Sequence, residues 1–123
     1  MGGRVLMLEH VGRTSGRRRY VCLEVVERPE PTRIIVVSGF GDRAQWYRNL
    51  LAEPRCRVSV GRWTSVAAVA RMLGCQDSRA ALLRYQAAHP AAWKRLKGVL
   101  EQAVGGPVEA FPMVELVLTD PRS

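Results

Sequence analysis

The stretch His10-Val11-Gly12-Arg13-Thr14-Ser15-Gly16-Arg17-Arg18-Arg19-Tyr20 links two runs of strand character, Arg4 to Val11 and Tyr20 to Glu27. Its glycines permit a tight reversal, so the two runs fold back on each other as antiparallel strands. Into this short link the chain puts four arginines, the hydroxyls of Thr14 and Ser15, and the glycines Gly12 and Gly16. Glycine leaves backbone N–H groups uncovered, and guanidinium forks and hydroxyls add further donors. Such a set suits a phosphate or carboxylate, and it equally suits a solvated basic turn.

Outward from this turn the patterning stays mostly that of strands. Val5-Leu6-Met7-Leu8 is nearly continuous and predicts a strand covered on both faces. After the turn, Val21, Leu23 and Val25 fall on one side, with Tyr20, Cys22, Glu24 and Val26 on the other. Pro29-Glu30-Pro31-Thr32 marks the next reversal, and Arg33 to Ser38 carries Ile34-Ile35-Val36-Val37, a β-branched run suited to a central strand. Ser38-Gly39-Phe40-Gly41-Asp42 then leads into a helix, with Asp42 as N-cap and Gln45 completing a capping box. Trp46, Tyr47, Leu50 and Leu51 form its apolar face, and Glu53-Pro54 ends it.

Arg55 to Val60 and Trp63 to Met72 read as strands around a Gly61-Arg62 turn, with Val66, Ala68, Ala70 and Met72 sharing a face. Gly74 to Ser78 supplies an N-cap for a helix over Arg79 to Ala88, whose large apolar residues are Leu82, Leu83 and Tyr85. Pro90 opens a further helix with Trp93, Leu96 and Leu100 as its stripe, stopped by Gly105-Gly106-Pro107. Met113 to Leu118 is the last strand. The order β-β-β-α-β-β-α-α-β predicts an α+β, mainly β, single domain over residues 1–123. About six antiparallel strands close a small barrel, with one inserted helix and two helices in the C-terminal half. The order excludes a dinucleotide-binding βαβ unit, and no Gly-Lys-Ser/Thr phosphate loop occurs.

Composition narrows the partners. No apolar run approaches the roughly 18 residues of a membrane span, and no secretory leader is recognisable. Cys22, Cys56 and Cys75 are odd in number and lack metal-ligand spacing, which argues against a disulfide framework or a zinc site and for a reducing, cytoplasmic setting. The net charge is +8, and all but Lys94 and Lys97 of the 19 basic residues are Arg. An anionic partner fits that balance. Nucleic acid is disfavoured, because neither a recognition helix nor interleaved aromatics are present. Peripheral contact with an acidic membrane remains compatible with the charge.

Self-contained catalytic sets are missing. His10 and His89 have no neighbouring Cys or carboxylate at metal-like spacing, and the acidic residues form no pair suited to glycoside hydrolysis. His89, ahead of a helix, reads as structural. His10, at the mouth of the basic turn, reads as a surface residue before it reads as a ligand contact. Cys22 reads as an inert packed thiol. A chain without its own acid–base apparatus is still competent as an enzyme if a cofactor carries the reaction.

Two segments together resemble the deazaflavin-dependent nitroreductase family. Gly12-Arg13-Thr14-Ser15-Gly16-Arg17-Arg18-Arg19 is similar to the family's G-R-x-S-G-x-x-R. Val36 to Gly41 followed by Trp46-Tyr47-Arg48-Asn49-Leu50-Leu51-Ala52-Glu53-Pro54 resembles its strand, glycine loop and W-Y-x-N-L-x-x-x-P helix. The resemblance implies a split β-barrel and hydride transfer from reduced coenzyme F420 to a small electron-poor acceptor, a quinone or nitroaromatic. FMN on the same barrel is the alternative cofactor, and a non-catalytic module that binds a cofactor, another anion or nucleic acid is the alternative role. It further implies that Arg13, Thr14, Ser15, Gly16 and Arg19 hold the phosphate and acidic tail, with the backbone of Tyr20, Val21 and Cys22 beside the ring. Ser38 and Gly39 flank the cofactor and Asn49 fixes it. Trp46 serves either as a cofactor wall or as core. Ser38, Tyr47 and Tyr85 are candidate proton donors, and no catalytic side chain is required. Thr14 and Gly39 stand where cofactor-binding members often carry Lys. A homodimer is compatible with the fold that the resemblance implies.

Overall fold

The computed structural model describes residues 5–37, 44–104 and 113–119. Among them the order is β1 (Val5–Val11), β2 (Arg18–Glu30), β3 (Arg33–Val37), α1 (Gln45–Ala52), β4 (Arg55–Val60), β5 (Trp63–Met72), α2 (Cys75–Ala88), α3 (Pro90–Val104) and β6 (Met113–Leu118). The strands close a barrel in the order β1-β2-β3-β6-β5-β4, antiparallel at every pairing. Closure leaves none of these strands with an unpaired edge.

Alternation fills the interior. Leu6 and Leu8 of β1, Leu23 and Val25 of β2, Ile34 and Val36 of β3, Val58 and Val60 of β4, Val66 and Ala68 of β5, and Leu116 and Leu118 of β6 point inward into one cluster. Trp46, Tyr47 and Leu50 of α1 join it and plug one opening. A second cluster lies outside the barrel, where Val26, Ile35, Val37 and Met113 meet Ala81, Leu82 and Tyr85 of α2. Trp93 and Leu96 of α3 pack against it. Strand alternation turns the consecutive valines to opposite sides, Val25 into the barrel and Val26 under α2, and a register shift follows between Val25 and Glu27.

The cover explains which apolar runs are buried twice. Ile34-Ile35-Val36-Val37 is buried throughout, because α2 and α3 roof the outer face of β3 and β6. Val5-Leu6-Met7-Leu8 is not: Val5 and Met7 are 47% and 44% exposed on the outer face of β1, which no helix covers. Cys22, expected as a packed thiol, pairs opposite Met7 on that same open face and is exposed. Cys56 is the buried thiol, and burial pushes its pKa up to about 12.

Helix starts differ from the expectation at two places. Helix α1 begins at Gln45 with Ala44 at its N-cap and no side-chain cap, so no Asp42–Gln45 capping box sets its start; Asp42 lies outside the described residues, as do Gly105-Gly106-Pro107. Leu51 is 57% exposed, and Asn49 takes the buried place expected for it. Helix α2 starts at Cys75, capped by Gly74, and its Leu83 points to solvent. Both starts are set by packing against the barrel rather than by a capping side chain.

On the outer face Glu115 of β6 is buried between Arg33 and Arg71, at 2.5 Å and 3.0 Å. Burial alone would push its carboxyl up, but the hydrogen bonds from the two arginines outweigh it and hold the pKa below the usual range. A depressed carboxyl contributes stability above its unfolded pKa and loses it as pH falls through the folded value. Glu115→Gln should therefore lower unfolding stability by about 1.5–3 kcal/mol at neutral pH in urea melts, with the difference from wild type shrinking in acid.

Candidate functional site

The β1–β2 hairpin turns through a loop shaped by its own backbone. Gly12 N–H donates to the Arg17 carbonyl and Gly16 N–H to the Gly12 carbonyl, each at 2.8 Å. Gly16 has φ +71°, a left-handed conformation that side chains resist. An added Cβ at Gly12 would lie 2.6 Å from Ser15 Oγ and 3.3 Å from Arg19 Nε. Ser15 Oγ accepts from Arg17 N–H at 3.2 Å, so the serine holds the turn.

The loop is tied to α1 by Arg13. Its backbone N–H and its Nη1 both donate to Asn49 Oδ1, at 3.1 and 2.7 Å, and Nη2 donates to Gln45 Oε1 at 2.9 Å. Arginine has no acceptor, so Asn49 must present its oxygen to Arg13 and its Nδ2 to the other side. There Nδ2 lies 3.1 Å from His10 Nδ1. Asn49 and His10 are both buried, 2% and 4% exposed. A surface His10 is thus corrected: Leu6, Leu8 and His10 share the inward parity of β1, and the alternation carried that signal. Burial, and then the nearby Arg19 guanidinium, lower the His10 pKa below the ordinary imidazole value.

Two cavities meet at this hairpin. The larger, about 810 Å³, is lined among the described residues by His10, Arg18, Arg19, Tyr20, Val21, Ala44, Gln45 and Trp46. The smaller, about 240 Å³, is lined by Gly12, Arg13, Thr14, Arg19, Gln45 and Asn49. Arg19 and Gln45 border both, so the two are one bipartite site with an aromatic, partly apolar chamber and a polar annex. Arg18 approaches Glu9 at 3.9 Å, whereas among the described residues no carboxylate pairs with Arg13, Arg17 or Arg19. Unneutralised guanidinium beside uncovered backbone is a place for an anion.

The expected site residues divide accordingly. Arg13, Thr14, Arg19, Tyr20, Val21, Trp46 and Asn49 come together here. Trp46 packs in the core and also lines the larger chamber. Ser15 and Gly16 shape the turn without lining either cavity, and Cys22 faces away on the open side of β2. Tyr47 sits in the barrel core, edge-on to Trp46 at 6.1 Å between centroids. Tyr85 lies in the outer cluster and donates to Glu24 Oε2 at 2.7 Å, remote from the chamber lining. Ser38 and Gly39 are outside the described residues. His10, Gln45, Arg18 and Ala44 were not anticipated in the lining. Among the described residues no group of His, Cys, Asp and Glu is placed to hold a metal ion.

The architecture is that of a small ligand-binding barrel with a basic hairpin at its mouth. The family model for F420H2-dependent quinone reductase matches residues 1–104, and the chain belongs to that family. Membership makes coenzyme F420 the cofactor and oxidoreduction with F420H2 the reaction class. Among curated proteins no sequence matches. Solved structures share the fold at low identity. An F420-H2-dependent reductase is 20% identical, with 94% of this chain and 96% of that one covered at TM-score 0.63. A pyridoxamine 5′-phosphate oxidase-related, FMN-binding protein from Nostoc punctiforme is 18% identical, covering 94% and 71% at 0.62. HutZ, a haem storage protein from Vibrio cholerae, is 14% identical, covering 97% and 84% at 0.64. These proteins are named for different ligands, so the barrel alone does not choose the cofactor.

Replacing Asn49 by Ala would strand Arg13 N–H and His10 Nδ1 together, and should cost about 1–3 kcal/mol of stability in denaturant titrations. The lowered His10 pKa carries a second expectation. Stability linked to neutral His10 is complete above about 6.5, the unperturbed imidazole value, and is lost as pH falls toward the lowered one. An NMR titration of the imidazole protons should show His10 protonating below the free residue.

Proposed function

We propose that the bipartite site holds the deazaflavin ring in the larger chamber and the phosphate and acidic tail in the annex, and that the chain reduces a quinone-type acceptor. The observation that carries this is the adjacency of the two cavities across Arg19 and Gln45. A planar ring suits walls of Val21, Ala44 and Trp46 beside the backbone of Tyr20, and an anionic tail suits Arg13, Arg19 and Thr14, so the residues present fit the cofactor. Gly12 fits too, since a side chain there would crowd Ser15 and Arg19.

Bound reduced F420 supplies a hydride to the acceptor. The protein's part is to orient and shield. Arg19 stands between ring and tail, where its guanidinium anchors the phosphate. Arg13 braces the loop through Asn49 and Gln45 and keeps spare N–H groups for the tail. Trp46 and Val21 exclude water from the ring face. Tyr47 lies in the core and Tyr85 is bonded to Glu24, which leaves Ser38 or solvent at the open mouth to supply any proton. Nitroaromatic acceptors of similar size and electron demand enter the same mouth.

Among the described residues no helix is long and apolar enough to cross a membrane. Val5, Met7 and Tyr20 leave an apolar strip on the open side of β1 and β2, and a homodimer formed on that strip is the quaternary reading we adopt.

Fluorescence titration should give micromolar F420 binding that weakens with salt. Arg19→Ala should weaken it about tenfold or more, the usual worth of a charge-assisted hydrogen bond. FMN, which lacks the acidic tail, should lose less to added salt. Absence of F420 binding, or an Arg19→Ala variant with unchanged affinity, would overturn the assignment.

A further inference from the structure

His10 is 4% exposed, yet it lines the larger chamber. Its Nδ1 is occupied by Asn49. No hydrogen bond within the described residues reaches Nε2, and among these residues no buried side-chain nitrogen or oxygen lacks a partner. Nε2 is therefore the atom through which this ring opens onto the cavity. A histidine otherwise sealed in the barrel shows one polar atom to the place where a ligand sits.

The protonation state of that atom follows from three contacts. Arg13 offers only donors, so its two bonds fix the orientation of the Asn49 amide. Asn49 Nδ2 then points at His10 Nδ1, which must accept. An accepting Nδ1 leaves the proton of the neutral ring on Nε2. Protonating Nδ1 as well would set two N–H groups against each other, and Arg19 across the chamber adds repulsion.

We propose that His10 is a cofactor-binding residue, held as the neutral Nε2–H tautomer through Asn49 and Arg13, and that Nε2–H donates to a carbonyl oxygen of the ring bound in the larger chamber. The inference rests on the placement of the F420 ring proposed above. It gives the bracing contacts of the hairpin a purpose beyond stability: the Arg13 that steadies the basic loop also sets a donor on the chamber wall. A ring carbonyl meeting Nε2–H is fixed in register along β1, whereas the flat ring of Trp46 would let it slide. The donor selects a ring with an oxygen acceptor at that edge over an apolar aromatic of the same size.

The test uses the full chain with its imidazoles labelled with ¹⁵N. In the free protein, His10 should show the Nε2-protonated pattern throughout neutral pH. Oxidised F420 added without any acceptor substrate should shift the His10 Nε2 and Hε2 resonances. Inorganic phosphate, which has no ring to place in the larger chamber, should leave them in place. His10→Phe keeps the ring volume and removes the donor, and should weaken F420 binding about two- to tenfold with its salt dependence unchanged. An Nδ1-protonated His10 would overturn the proposal, as would F420 binding without movement of Nε2 or undiminished affinity in a folded His10→Phe. Should that variant fail to fold, the wild-type spectra decide. If wild-type chain fails to bind F420 at all, the site assignment itself falls; binding with an unmoved Nε2 removes only the role of His10.

Discussion

A buried primary amide has to satisfy both of its ends, and Asn49 does so by joining three parts of the molecule. Its oxygen takes the hairpin loop through Arg13, and its nitrogen takes β1 through His10, while its backbone belongs to α1. The helix that plugs the barrel and the hairpin that carries the charge are thereby set against each other with no slack. Without that amide, the larger chamber would lose the fixed spacing between Trp46 on one wall and His10 on another. The cavity depends on the polar contact more than on the apolar core beneath it, which would close a barrel in either case.

The barrel itself is asymmetric, and the asymmetry assigns its faces. On β3 and β6 both surfaces are buried, one by the interior and one by α2 and α3. On β1 and the first half of β2 the outer surface is left open, and there the charged hairpin, Tyr20 and Met7 meet solvent. Glu115, the buried carboxylate of the covered side, is neutralised by two arginines. Arg13, Arg17 and Arg19 on the open side have no such carboxylate among the described residues. Charge is compensated where it is structural and left uncompensated where a ligand is expected to compensate it.

This division explains how one barrel serves proteins with unlike ligands. The shared part is the ring of strands, which similar structures retain at 14–20% identity. The part that carries the uncompensated charge here is a hairpin of a few residues with the helix that faces it. In this chain the hairpin and the helix touch through Arg13, Gln45 and Asn49. The basic turn, ambiguous by itself between solvated loop and anion cradle, is specified by its partner helix.

The order of elements along the chain, the turns at Gly12–Arg19 and Gly61-Arg62, and the bounds of β4, β5 and β6 were legible in the sequence, because period-two alternation and turn chemistry are local. The arginine-rich turn was legible for the same reason. What the sequence left undetermined depends on which neighbour arrives from elsewhere. Val5 and Met7 are as apolar as Ile35 and Val37, and only the placement of α2 and α3 over one side of the barrel decides which pair is covered. Leu51 and Asn49 exchange their expected exposures because α1 meets a polar loop at Arg13. Cys22 is exposed and Tyr85 remote from the chamber for want of any local signal. His10 alternates with Leu6 and Leu8, so its inward direction was readable; that a donor-only arginine and an asparagine hold its tautomer was not. A ring nitrogen's state is set by contacts 36 to 39 residues away in the chain, and such contacts exist only once the barrel has closed.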